Sequence, residues 1–236
     1  GQLAGVISTG PAGVAVNINN NNLGSATANF VSYSAATANS FFGLYNGGGI
    51  AATTASSISN NNIRGVVHTA TATSTHQYIN SFFAGATQNI NNNTFTNLSV
   101  NTTGSIFFIA KQGNMTATGV ENCNSNSVVT AFNKTAAGGT VFFYSSFASA
   151  VNGSTMTQTG NNFSNITVTG ATAIGGWSNG DGASNVSAPT KTITGNTFSN
   201  ITGGTGLINV MEIDFSGNNS TVSNNTISNI NENGQV

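Results

Sequence analysis

The chain has 236 residues, 38% of them apolar and only 4% charged, with a net charge of −1 at neutral pH. Such weak charge gives no basis for electrostatic capture of nucleic acid or an anionic membrane, and no uninterrupted apolar run reaches the ~18 residues of a membrane span. Asn (39 residues) and Gly (29) dominate, yet fifteen Phe in a regular apolar pattern argue for a packed interior rather than disorder, and for one domain over residues 1–236.

Residues 1–13 are the least repetitive part and read as an entry segment, an entry strand or the tail of a preceding coil, with Pro11 in a Gly-Pro-Ala-Gly turn. From there one frame recurs: apolar, two spacers, Asn, one spacer, apolar, two spacers, apolar. It begins as Ile18, Asn21, Leu23, closed by Ala26, and returns as Ile58, Asn61, Ile63, Val66 and as Ile90, Asn93, Phe95, Leu98. Two degenerate copies follow. Cys123, Asn126, Val128, Ala131 has Cys for Ile, and Gln158, Asn161, Phe163, Ile166 loses the first apolar place. Ile193, Asn196, Phe198, Ile201 and Val222, Asn225, Ile227, Ile230 restore it. Between the motifs lie second apolar stretches: Phe41–Tyr45, Tyr78–Phe83, Ile106–Ile109, Val141–Phe147, Ala173–Ser178 with Trp177, and Leu207–Phe215. In the last, alternation predicts Leu207, Met211, Ile213 and Phe215 facing in, and Ile208, Val210, Glu212 and Asp214 facing out.

The central Asn therefore falls at 21, 61, 93, 126, 161, 196 and 225. A period of roughly 20–50 residues marks a solenoid, propeller or array. Short apolar pieces without a 3.6-residue stripe are strands, and the Gly-Asn or Asn-Asn between them tolerates a left-handed backbone. An Asn at one place in every coil stacks about 4.8 Å above its equivalent, so the amides can bond as a ladder. The expectation is an all-β parallel β-helix of about seven coils with an internal ladder of Asn21, Asn61, Asn93, Asn126, Asn161, Asn196 and Asn225.

The pieces TFTNL, NFSNI, TFSNI, TISNI and NIRGV resemble the right-handed parallel β-helix repeats of polysaccharide lyases and bacterial surface proteins. The resemblance covers almost the whole chain and implies a fold shared by lyases, hydrolases, adhesins and passive stalks. Pectate-lyase-like members use an acidic calcium cluster with a basic proton acceptor, and galacturonase-like members use several Asp on one sheet. Neither set is matched here, with carboxylates only at 121, 181, 212, 214 and 232 and Arg64 the only arginine.

The expectation is accordingly a chain without catalytic residues, metal or cofactor. Glu212 and Asp214 share one face of a strand and read as solvated side chains, Asp181 as a turn residue, and His68 and His76 lack further metal-ligand partners. Cys123, unable to pair internally, occupies an inward place as a small hydrophobe. Triplets such as Asn97-Leu98-Ser99 and Asn200-Ile201-Thr202 read as repeat composition before glycan acceptors. Without an initiating Met or signal peptide, the chain reads as processed or excerpted.

Near absence of Cys and Lys together with an Asn, Thr, Ser and Gly surface points to an extracellular or cell-surface protein. The leading expectation is a structural solenoid of a fibre, stalk or adhesin that associates head to tail or continues into further repeats. The alternatives are an ice- or glycan-binding face and a degenerate polysaccharide lyase. Candidate binding positions are the outward hydroxyls Thr94, Thr96, Thr197, Ser199, Thr226 and Ser228, although Asn22/Gly24, Asn62/Arg64 and Ser127/Val129 interrupt their rows.

Overall fold

A computed structural model describes residues 2–11, 15–49, 54–82, 85–146, 153–181, 189–214 and 219–234. Phe83, Phe147, Phe215 and the ends of the entry segment lie outside the described residues. The chain winds through three parallel sheets in a fixed order. Sheet A is built from Leu3–Pro11, Phe41–Gly49, His76–Ser81, Ile106–Lys111, Thr140–Ser146, Ala173–Asn179 and Met211–Ile213. Sheet B takes Val16–Asn17, Ala55–Ser57, Thr87–Asn89, Val120–Asn122, Thr155–Thr159, Thr190–Thr194 and Thr221–Ser223. Sheet C holds Asn22–Leu23 with Val31–Tyr33, Asn62–His68, Thr94–Val100, Ser127–Val128 with Phe132–Lys134, Ile166–Val168, Thr197–Gly203 and Thr226–Glu232.

This is a parallel β-solenoid. Among the described residues, sheets A and B have seven strands each; their first and last strands are edges, so five turns are stacked on both sides rather than seven. The entry segment is part of the stack, because Leu3–Pro11 pairs with Phe41–Gly49 as the first strand of sheet A.

Each motif spans the corner between sheets B and C. Its first apolar residue closes sheet B facing in, and the residue before the Asn adopts the left-handed conformation: Asn20, Asn60, Asn92, Ser125, Gly160, Gly195 and Asn224 have φ between 55° and 65°. These are mostly the types that tolerate this backbone cheaply, and Ser125 is the exception. The chain then turns, the Asn side chain enters the interior, and Leu23, Ile63, Phe95, Val128, Phe163 and Phe198 point inward from sheet C, all buried.

The Asn residues form a continuous ladder. Nδ2 of Asn21, Asn61, Asn93, Asn126, Asn161 and Asn196 donates to Oδ1 of the next Asn at 2.9–3.0 Å. The same Oδ1 accepts the backbone N–H of the preceding Asn, also at 2.9–3.0 Å. The second Nδ2 hydrogen reaches back one coil, from Asn61 to the Ile18 carbonyl, Asn93 to Ile58, Asn126 to Ile90, Asn161 to Cys123, Asn196 to Gln158 and Asn225 to Ile193. Every interior rung of the ladder is thus saturated, the condition on which a polar side chain can be buried.

Beside the ladder runs an aromatic stack. Phe143 lies parallel to Phe163 and Phe198 at 5.6 and 5.9 Å, while Phe108 meets Phe95, Phe132 and Phe163 edge-on. Burying each ring contributes about 1.5–3 kcal/mol.

Three inward positions differ from the repeat frame. Ala26 is exposed in a turn where Ser25 N–H bonds the Ala28 carbonyl, and Val31 takes the place beside Val66. Ala131 is likewise exposed, and Phe132 pairs with Ile166. Leu207 is 74% exposed, because Ile208 aligns with buried Ile174 and packs on the core. In each case an insertion or shift changes which residue meets the coil above.

Replacing Asn126 by Ala would strand three buried groups: the backbone N–H and one Nδ2 hydrogen of Asn93, and the Ile90 carbonyl. At about 1–3 kcal/mol each, the expected loss is at least about 3 kcal/mol. Asn21, whose side chain donates to Asn61 and to the Asn19 carbonyl but accepts from no earlier rung among the described residues, should cost about 1 kcal/mol when replaced by Ala. Urea denaturation of the two variants checks this; equal losses would remove the ladder as the organising contact.

Candidate functional site

The predicted hydroxyl rows lie on the outer face of sheet C. Register places Thr197 beside Thr226 and Ser199 beside Ser228, so these four form one patch near the last coil. Thr94 and Thr96 belong elsewhere, between Asn62 and Ser127 on one row and beside Arg64 on the other. Several hydroxyls on this face bond within the protein: Thr96 Oγ1 to Asn62 Oδ1 at 3.3 Å, and Ser199 to Ser164 at 3.0 Å. Beside them is a second Asn row in the left-handed conformation, in which Asn229 bonds Asn200 and Asn200 bonds Asn165, both at 3.0 Å.

Sheet A carries a face that the motif frame did not single out. Phe107 and Phe142 pair in register and stack outward, 4.9 Å apart and 14° from parallel. With Phe82, Ala110, Gln112 and Ser145 they line a groove of about 450 Å³. The signal was present in the doublets Phe41-Phe42, Phe107-Phe108 and Phe142-Phe143, because adjacent residues on a strand face opposite ways. Phe41, Phe108 and Phe143 are buried, and their partners Phe42, Phe107 and Phe142 are partly exposed.

Behind that groove, the interior corner between sheets A and B is polar. Lys111 ends a sheet A strand, and its Nζ lies 2.8 Å from Asp181 Oδ2 and 3.7 Å from Glu121 Oε2, with all three side chains fully buried. Glu121 Oε1 accepts from the Tyr144 hydroxyl at 2.8 Å and from Gln158 Nε2 at 2.9 Å. Gln158 Oε1 in turn accepts from Trp177 Nε1 at 2.8 Å and Asn179 Nδ2 at 3.2 Å. Ser146 Oγ donates to Asp181 Oδ2 at 2.6 Å. Burial raises the Glu121 pKa against the opposing pull of Lys111, and burial with the nearby Glu121 charge raises the Tyr144 and Cys123 pKa values. Asp181 is therefore a buried partner rather than only a turn residue.

Two further lysines are buried and capped by oxygens. Lys134 Nζ donates to the Ala136 and Gly138 carbonyls and to Thr172, and Lys191 Nζ to the Asn179 and Asp214 carbonyls. Burial lowers both pKa values to about 8. Glu212, the exposed residue of its strand, accepts from Asn209 Nδ2 at 3.2 Å.

The His68 and His76 rings pack 4.6 Å apart and tilted by 60°, with Tyr33 4.2 Å from His68, and His76 Nε2 pairs with the Ser74 hydroxyl at 3.2 Å. Burial, helped by the His68 and Lys134 charges, pushes the His76 pKa down to about 3. Burial also lowers that of His68. The pair is a neutral aromatic layer. Among the described residues no three of His, Cys, Asp or Glu are grouped to hold a metal ion. No protein-family model, curated protein or solved structure matches this chain.

His76 makes stability depend on pH. It is neutral when folded and takes up a proton below about 6.5 when unfolded, so the unfolded chain binds more protons between 6.5 and about 3. Stability from this group is complete above 6.5 and falls as pH drops through that window, with a limiting slope of about 1.4 kcal/mol per pH unit. Denaturant midpoints at pH 7 and pH 5 should show this fall, and His76→Phe should flatten it.

Proposed function

We propose that this chain is a non-catalytic structural solenoid of an extracellular fibre, stalk or adhesin, built to stack end to end with a second copy or with further repeats of its own kind. The observation that carries this reading is the condition of the terminal coils. Val222 and Ile227 align with fully buried Ile193 and Phe198, yet are 39% and 50% exposed; Leu3, aligned with buried Phe41, is 40% exposed. Among the described residues no further coil covers these core positions.

The ladder gives that contact a polarity. Each rung donates forward from its backbone N–H and Nδ2, so Asn225 presents donors at one end and the Oδ1 of Asn21 an acceptor at the other. Parallel strand edges with matched apolar rings and complementary amides favour a heterologous contact, and one that does not close makes a filament. The sparse charge, Asn/Thr/Ser surface and saturated ladder fit a passive element.

Purified chain should form filaments one solenoid wide in electron micrographs as concentration rises. Ile227→Asp, at a position already half exposed, should leave the fold intact and abolish growth. Monodisperse monomers at high concentration would overturn the assembly reading.

A second reading, glycan binding, is favoured by the outward Phe107 and Phe142 pair, since parallel aromatic faces beside Gln112 and Ser145 suit the apolar faces of sugar rings. On an oligosaccharide array, wild type should bind and Phe142→Ala should lose at least tenfold in affinity, whereas no binding by wild type removes this reading. The interrupted Thr rows give less support to an ice-binding plane.

A further inference from the structure

The Lys111, Glu121 and Asp181 cluster is unlike the other buried cations. Lys134 and Lys191 donate to carbonyl and hydroxyl oxygens, whereas both ion pairs among the described residues belong to Lys111. It meets an Asp two coils further along the stack and a Glu from its own coil, and all three side chains have no exposure to solvent. Two carboxylate oxygens in the cluster, Glu121 Oε2 and Asp181 Oδ1, accept no hydrogen bond. A buried set of charges so incompletely solvated is costly.

We propose that Lys111 and Asp181 condense into an intramolecular isopeptide bond, with Glu121 relaying the protons. In water an ammonium and a carboxylate do not react, because one lacks a lone pair and the other is a poor electrophile. Reaction therefore requires the shared proton to move from Nζ to Oδ2 across their 2.8 Å contact, which leaves a neutral amine against a neutral acid. The strands hold the two in contact, supplying the effective concentration that an intermolecular reaction lacks.

The Nζ lone pair then attacks Asp181 Cγ, forming the N–C bond. Glu121 Oε2, 3.7 Å from Nζ, takes the proton that nitrogen sheds and passes it to Oδ2. Oδ2 is the oxygen already receiving the Ser146 hydroxyl at 2.6 Å, and it departs as water when the Cγ–Oδ2 bond breaks. Oδ1 remains as the amide carbonyl. An amine and a carboxylic acid become an amide and one water, with no change in oxidation state. The Tyr144 and Gln158 hydrogen bonds to Oε1 hold Glu121 with its other oxygen toward the amine.

The product replaces a buried ion pair by a neutral link and ties a strand of sheet A to a turn two coils away. This inference stands apart from the function proposed above, since the bond forms within one chain whether or not copies stack.

The test is the mass of the full chain, purified folded and then denatured. The expected mass is lower than that of the sequence by one water. Trypsin should fail to cut at Lys111 and release residues 65–134 joined to residues 135–191, because Arg64, Lys111, Lys134 and Lys191 are the only arginine and lysines in the sequence. Fragmentation should place the branch on Lys111 and Asp181. A full mass with Lys111 cleaved normally would overturn the proposal. So would a water loss confined to a cyclic imide at Asp181-Gly182, which leaves Lys111 cleavable and reopens in mild base. Glu121→Gln keeps the shape but cannot relay protons, and should retain the full mass while folding normally by circular dichroism. A folded Glu121→Gln chain that still carries the branch would remove Glu121 from the step. Should that variant fail to fold, the wild-type branch alone decides whether the bond exists.

Discussion

The asparagine ladder is the constraint from which the other features follow. A primary amide has two donors and an acceptor able to take two hydrogen bonds, and at interior rungs all are used between consecutive coils. Such saturation requires each coil to present the same turn, at the same height, above its neighbour. The left-handed residue before every rung supplies that turn, and the apolar residues on either side then fall into register without separate specification. Coil length can vary between rungs, from 29 to 40 residues, because the excess is placed away from this corner.

Where the repeat degenerates, the interior changes character. Gln158 stands where other coils place an apolar residue, and it bridges Glu121 to Trp177 and Asn179 while its carbonyl still serves the ladder. Cys123, the other irregular member, sits two residues after Glu121 and is fully buried. A smaller or more polar residue is tolerated at these positions because the adjoining corner is occupied by a hydrogen-bonded network rather than by packed hydrocarbon. The apparent defects of the repeat thus mark the place where the solenoid departs from a uniform stack.

Inside and outside are divided differently on the three sheets. Sheet C buries two apolar rows and shows hydroxyls and amides outside. Sheet B contributes few large side chains and borders the polar corner. Sheet A is aromatic on both faces, with Phe108 and Phe143 in the core and Phe107 and Phe142 outside. An exposed aromatic pair carries a cost in solubility, and its confinement to a groove bounded by Gln112 and Ser145 limits that exposure.

By itself the sequence determined the solenoid, the ladder and the inward rows of the regular coils, because these depend on local spacing: a turn that only Asn, Gly or a small polar residue enters easily, and alternation on a short strand. Even the outward aromatic face was legible in the Phe-Phe doublets, given that strands have two sides. Only the tertiary structure decided that Val31 and Phe132, not Ala26 and Ala131, face the core, since an inserted turn changes register without altering local pattern. It alone brought Lys111, Glu121 and Asp181 together. Those residues come from two sheets and from coils two turns apart, and their contact depends on the stacking of whole coils along the axis, a distance that no spacing within one repeat encodes.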